Sequence, residues 1–245
     1  MARKTKEEAL ATRNRILDAA EAMFCTRGVA RTSLHEIAEG IALTRGAVYW
    51  HFRDKYDLLL ALWERAMLPL DAAFDEIDAE FKDDPLARIR LKGTRVFHRI
   101  AHDERTRNLL MILLLRCEMV DEVAAARDHI LGCREECLGK MAHEFRQAVA
   151  RGQLLRGTNP ERTAIGLHAL VDGLAYHWLL DPSRFDLERA GADLLEGFLR
   201  GIAPSGAVLR PAAAPPRSRG ARAPANGARR ARGAAPAGRR RAAGA

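Results

Sequence analysis

No stretch of this chain is apolar enough to span a bilayer. The longest uninterrupted apolar run is LLMILLL, Leu109 to Leu115, well short of the ~20 residues a membrane helix needs. No charged-then-apolar secretory leader opens the sequence, so a cytoplasmic protein is expected. Cysteine is scarce: Cys25, Cys117, Cys133 and Cys137 contain no CxxC pair, and neither a zinc module nor a disulfide framework is suggested. A nucleophile–base pattern, a P-loop and a dinucleotide fingerprint are all missing, so no enzyme is expected, and no cofactor or metal. Strand alternation is missing as well, and apolar residues recur at helical spacing almost throughout.

Acidic residues are absent from the whole of residues 203–245, which hold ten arginines, sixteen alanines, six prolines and six glycines without one aromatic. Such a segment cannot bury enough surface to offset its ordering entropy, and it reads as a disordered tail. It also accounts for the net charge of +8, because residues 1–202 carry −2, divided into +2 over the first 60 and −4 over 61–202. The basic character is therefore not in itself a sign that the folded part binds nucleic acid. With 245 residues, the chain can bury a substantial core in one large or two smaller domains.

Helix boundaries are written in capping chemistry. Thr5 with Glu8 and Ser33 with Glu36 are capping-box pairs, Thr44 and Asp54 are further N-cap candidates, and Arg27-Gly28 is a stop signal. The spacing predicts a first helix to Arg27, a short second one bearing Leu34, Ile37 and Ala38, and a short third one from Thr44 to about Trp50. A fourth runs from Asp54 to Pro69. Longer helices are predicted over 70–81, 86–102, 105–121, 124–151, 160–180 and 186–202.

Two short helices joined by three or four residues, the second opening Thr-Arg-Gly, fit a helix-turn-helix. In that motif the second helix enters the major groove with its N-terminal side chains at the base edges. Arg45 stands in its first turn and can pair with guanine O6 and N7. Gly46 and Ala47 are small enough to let the helix approach. Thr44, Tyr49, His51 and Lys55 carry donors suited to phosphate oxygens, while Val48 and Phe52 are expected to face the core. Spacing alone leaves open an ordinary helical hairpin with a solvated surface.

The run TRGAVYWHFRDKYDLL resembles the core motif of the TetR family of bacterial transcriptional regulators. MARKTKEEALATRNRILDAAEAMFCTRGVARTSLHEIAE extends the likeness without a gap. RTRNLLMILLLRCEMVDEV, RGQL and ERTAIGLHALVDGLAYHWLLDPSRFDL are similar to the branch that represses multidrug efflux pumps, giving coverage of about residues 2–202. The resemblance implies an all-α homodimer of about nine helices, released from a palindromic operator by a hydrophobic ligand. It would have a three-helix DNA-binding domain (1–54), a ligand-binding and dimerisation bundle (55–202) and the tail (203–245). It adds Thr32, Ser33, Lys4 and Lys6 to the DNA-contact candidates. The family usually places Gly where Ala42 stands and Ala where Gly40 stands. A positive φ at the turn costs a non-glycine residue roughly 1 kcal/mol. Either Gly40 ends the helix and the turn is reshaped, or this domain is less stable than its relatives.

The ligand pocket that the resemblance implies falls on Ile89, Val96, Leu110, Leu114, Cys137, Met141, His168, Val171, Asp172 and Tyr176. Asp172 and His168 are its polar members, a carboxylate on an apolar face being costly to bury unpaired. The last two helices would supply the dimer interface through Leu167, Leu170, Leu174, Trp178, Leu194, Leu195 and Phe198, residues a monomer would use for its own core. Three further readings stand beside this one. In the first, Cys133 and Cys137 form a thiol sensor, which lacks a basic neighbour pattern. In the second, the chain regulates another pathway. In the third, a general nucleic-acid-binding protein acts through its basic tail.

Overall fold

A computed structural model describes residues 5–117 and 124–205. It is all-helical over those residues. The order is α1 (Lys6–Arg27), α2 (Leu34–Gly40), α3 (Arg45–His51), α4 (Lys55–Glu80), α5 (Pro85–His102), α6 (Glu104–Met111), α7 (Ala124–Ala150), α8 (Pro160–Leu180) and α9 (Leu187–Gly201). The expected N-terminal caps are in place. Thr5 accepts from the Glu8 amide at 3.2 Å while Glu8 accepts from the Thr5 amide at 3.0 Å. Asp54 Oδ1 takes the amides of Tyr56 and Asp57. Among the described residues no helix is long and apolar enough to cross a membrane. From Gly206 onward the expected tail lies outside the described residues, as do Lys4 and residues 118–123.

Two expected boundaries are corrected. Pro69 does not end the fourth helix, because α4 runs through it and absorbs the separate helix predicted over 70–81. Proline removes one helical hydrogen bond, but Pro69 and Leu68 lie on the solvent side, where water can take up the freed carbonyl. On the opposite side Leu62, Ala66, Leu70 and Ile77 form a continuous buried stripe that holds the helix together. The second correction concerns the helix predicted over 105–121. It changes at Ile112 into a π-helical turn, Ile112–Arg116. There the Arg116 carbonyl is offered to the Val29 amide at 3.1 Å. Gly28, at φ 87°, closes α1 with that same carbonyl 3.1 Å from where a Cβ would stand.

Two hydrophobic cores result. The first combines α1–α3 with the N-terminal half of α4 and is completed by Leu109 and Ile112. The expected division at residues 54/55 coincides with the N-cap of α4, whose first half packs into this core. The second core is built around α5, with α7, α8 and α9 closing over Phe97, Phe145 and Leu195. Charge is also buried where α4, α5 and α7 meet: Lys92 Nζ lies 2.6 Å from Asp78 Oδ1 and 2.5 Å from Glu144 Oε1. Burial pushes the Glu144 carboxyl above its ordinary range, and the Lys92 contact only partly offsets this.

Candidate DNA-binding interface

The interface begins with two N-caps and a turn. Ser33 caps α2, its hydroxyl accepting from the Glu36 amide at 3.2 Å and donating to Glu36 Oε2 at 2.8 Å. These hydrogen bonds from the Ser33 hydroxyl and amide hold Glu36 below the usual carboxylate range. α2 then ends in a Schellman arrangement. The Leu43 amide reaches back to the Ala38 carbonyl at 2.9 Å, and the Ala42 amide to the Glu39 carbonyl at 3.1 Å. That motif requires a left-handed residue, and Ala42 supplies it at φ 53°, alone among the described non-glycine residues. Gly40 is the last helical residue, with nothing within 4 Å of where its Cβ would be. Of the two outcomes open from the sequence, the turn is not reshaped around Gly40 and Ala42 carries the strain.

A prediction follows from this geometry. Ala42→Gly relieves about 1 kcal/mol, which for a domain of this size raises the melting temperature by roughly 2–4 °C. It also tightens operator binding by holding α3 in its docking pose. Thermal denaturation and a DNA titration check it, and unchanged or lowered values of both would overturn it.

Thr44 caps α3, accepting from the Ala47 amide at 3.2 Å. Val48 and Phe52 point inward at 0% and 2% exposure, and this fixes which side of the helix faces out. That side carries Thr44, Arg45, Gly46 and Tyr49, with Ala47 half-buried at its edge. The Arg45 guanidinium lies 5.2 Å over the Tyr49 ring, and no heavy atom stands within 4 Å of a Cβ at Gly46. His51 is half-buried with its ring edge-on to Trp50 at 4.5 Å. Lys55 Nζ donates to the Ala30 carbonyl at 3.2 Å. Beside it a groove of about 490 Å³ runs past Arg31, Ser33, Tyr49, Arg53 and Lys55. Lys6 is exposed at the start of α1.

Thr32 is a correction. It is 2% exposed and its hydroxyl donates to the Gly28 carbonyl at 2.8 Å, so it serves the loop between α1 and α2 rather than the surface. Trp50 was missed, and at 72% exposure it stands beside Tyr49 on the outer face. With Val48 and Phe52 assigned inward, helical geometry puts the residue midway between them outward, so that signal was available. Arg31 and Arg53, also exposed along the groove, had no comparable signal, since they lie in loops whose direction depends on α1 and α4.

The proposed pocket residues divide. Ile89 is buried in the second core, and Val96, Leu110, Met141 and Val171 pack half-buried against it. Leu114, Cys137 and Tyr176 are exposed instead. Asp172 is not a buried carboxylate: half of its side chain is exposed, and Oδ2 lies 3.0 Å from His168 Nδ1 one turn earlier. The interface residues divide too. Leu167, Trp178 and Leu195 are buried in this chain's own core, at 2%, 7% and 0% exposure, and are not available to a partner. Leu170, Leu174 and Phe198 are half-buried against that core. Leu194 is 48% exposed, and α8 presents Ile165, Tyr176 and Leu180 along one outer face.

An outward-facing α3 held by a short turn to an α2 that buries Leu34, Ile37 and Ala38 is the architecture of a helix-turn-helix regulator. Residues 16–62 match the bacterial regulatory proteins of the tetR family, and residues 84–203 match the C-terminal region of MAATS-type transcriptional repressors. The chain belongs to the TetR family. It is 40% identical over 187 residues to the HTH-type transcriptional regulator TtgR of Pseudomonas putida, covering 76% of this chain and 89% of that protein. The crystal structure of NalD, the secondary repressor of the MexAB-OprM multidrug efflux pump in Pseudomonas aeruginosa, superposes with a TM-score of 0.74. NalD is 32% identical, with 82% of this chain and all of NalD covered. The SmeT–triclosan complex gives 0.73 at 34% identity, over 84% of this chain and 98% of that one; SmeT represses the Stenotrophomonas maltophilia multidrug efflux pump SmeDEF.

Proposed function

We propose that this TetR-family regulator is a cytoplasmic, ligand-responsive repressor. It binds a palindromic operator as a homodimer, controls a multidrug efflux operon, and is released by hydrophobic small molecules. Residues 1–54 read DNA, 55–202 bind ligand and dimerise, and 203–245 are an accessory tail. The observation that carries this reading is the outer face of α3, where Thr44, Arg45, Gly46 and Tyr49 are exposed together over an inward Val48. Arg45 reads a base, and Tyr49, His51, Ser33 and Lys55 anchor phosphates. A dimer makes each contact twice, so the modest charge of residues 1–60 is sufficient. The exposed α8 face with Leu194 supplies an apolar surface for the partner copy. The efflux roles of NalD and SmeT, and the triclosan bound to SmeT, support the choice of operon and ligand class.

The test is a footprint of the full chain on the DNA flanking its own gene, with and without triclosan. Two protected half-sites about one helical turn apart, lost on adding the drug, are expected. Residues 1–202 alone should protect the same bases. Absence of a protected palindrome, protection indifferent to hydrophobic compounds, or protection that needs the tail would overturn the proposal.

A further inference from the structure

No metal site was expected from the sequence, yet HRIAH, residues 98–102, places two histidines four apart. One turn of α5 brings His98 and His102 to the same face, with ring centroids 4.6 Å apart. Glu188, in the first turn of α9, comes between them. Its Oε1 lies 2.8 Å from His98 Nδ1 and its Oε2 2.8 Å from His102 Nε2. One ligand atom from each residue falls within 4.8 Å of the others.

We propose that His98, His102 and Glu188 form a binding site for a divalent transition cation of the Zn²⁺ or Ni²⁺ class, clamping the end of α5 to the start of α9. Two imidazoles and one carboxylate suit borderline metals, whereas Mg²⁺ and Ca²⁺ favour all-oxygen shells. Metal–ligand bonds of about 2.0–2.2 Å need donor atoms roughly 3.3 Å apart. Side-chain rotation can close the present separations, because the backbones are already set. Three residues after Glu188, Gly191 lies against the Phe97 ring so closely that a Cβ there would collide with it. On the other side Gly93 meets Leu195, with 2.7 Å left to a Cβ. The helices thus abut at two glycines while the cluster beside them remains reachable. The side chains of His98, His102 and Glu188 are 37%, 59% and 35% exposed, so an ion can enter and keep water at its fourth position. Without metal, the same three groups form a hydrogen-bonded clamp.

The experiment uses full chain without an affinity tag, stripped with chelator and titrated calorimetrically with ZnCl₂, NiCl₂ and MgCl₂. One Zn²⁺ or Ni²⁺ per chain is expected, with Mg²⁺ binding far more weakly. A hundredfold excess of Zn²⁺ over Kd should raise the melting temperature by roughly 5–10 °C. Replacing one of three direct ligands, in His98→Gln or His102→Gln, should weaken Zn²⁺ binding by more than the ~10–100-fold typical of outer-shell partners. Both variants are checked for native helicity by circular dichroism. Because His102 is largely exposed, its variant keeps the fold and the metal-dependent rise can be read in it. A competing pair, His129 Nε2 and Cys133 Sγ, lies 3.6 Å apart on α7, so Cys133→Ser is titrated alongside. Full-affinity binding in both histidine variants, loss of binding in Cys133→Ser, or Mg²⁺ binding as tight as Zn²⁺ would each overturn the assignment.

Discussion

Arg45→Ala is expected to abolish operator preference and to leave the melting temperature almost unchanged. The side chain is exposed, and its only hydrogen bond among the described residues is a 3.4 Å contact with the Tyr49 hydroxyl, so the fold loses little when it is removed. An arginine on a guanine edge discriminates by about 1–3 kcal/mol, and the proposed dimer would make that contact in each half-site. Affinity for the operator should therefore fall by roughly 30-fold to more than 10⁴-fold, approaching that for scrambled DNA. Fluorescence anisotropy on operator and scrambled duplexes at one salt concentration is the measurement. Lys55→Ala is the comparison, because a phosphate partner should weaken both duplexes alike and reduce the salt slope by about two, one for each half-site. If Arg45→Ala weakens both duplexes equally, Arg45 is an anchor and base reading lies elsewhere on α3.

The largest expected effect on stability comes from Arg65→Met. Arg65, on α4, reaches across to α1, where Nη1 meets Asp18 Oδ1 at 2.6 Å and Nη2 bonds Glu21. The side chains of Arg65 and Glu21 are only 14% and 12% exposed, whereas Asp18 is 61% exposed and contributes little. Glu21 also accepts from Asn108 Nδ2 of α6 at 2.7 Å, so one carboxylate ties three helices together. Removing the arginine leaves that carboxylate buried with Asn108, a neutral group, as its one hydrogen-bond partner among the described residues. Breaking a buried pair from one side costs ~3–5 kcal/mol. The residual exposure favours the low end, near 3 kcal/mol, or a drop of roughly 6–12 °C in melting temperature. Glu21→Gln combined with Arg65→Met should recover much of the loss, since no charge is then left unpaired. A single variant within 0.5 kcal/mol of the parent by urea unfolding would show the pair to be solvated (for scale, surface substitutions fall within about ±0.5). Close by, burial and then the Glu21 charge push the Cys25 thiol up to about 11, leaving it protonated at neutral pH.

This clamp has a bearing on function. α6 and the π-helical turn that follows it touch the N-terminal core through Leu109, Ile112 and the Arg116 carbonyl, and the second core through Leu110, Met111 and Leu115. Under the proposed ligand control, movement among α5, α7 and α8 would have a packed route to α1 and α4. From α4 the route continues to α3, whose last residue is followed by the buried Phe52 and the N-cap Asp54. Packed elements with two arrangements transmit in this way.

What the sequence determined by itself is local. The caps of α1, α2, α3 and α4 follow from chemistry between residues two or three apart, and each stands where Thr5, Ser33, Thr44 and Asp54 predicted it. The closure of α2 is local too, but the sequence left open how Gly40 and Ala42 would share it, and the structure puts the left-handed residue at Ala42. The inward pair Val48 and Phe52, and hence the outward face of α3, came from the same periodicity. Only tertiary structure decided the rest, because burial depends on what lies opposite. Pro69 reads as a stop until a buried stripe on the far side carries α4 past it. Leu167, Trp178 and Leu195 read equally as core or as interface until the second core is seen to enclose them. Thr32 and Ser33 are neighbours with the same chemistry, and only the Gly28 carbonyl turns one of them inward. Arg65 found Glu21 across 44 positions and His98 found Glu188 across 90. No pattern in the chain encodes a partner at such a distance; the packing of helices brings them together.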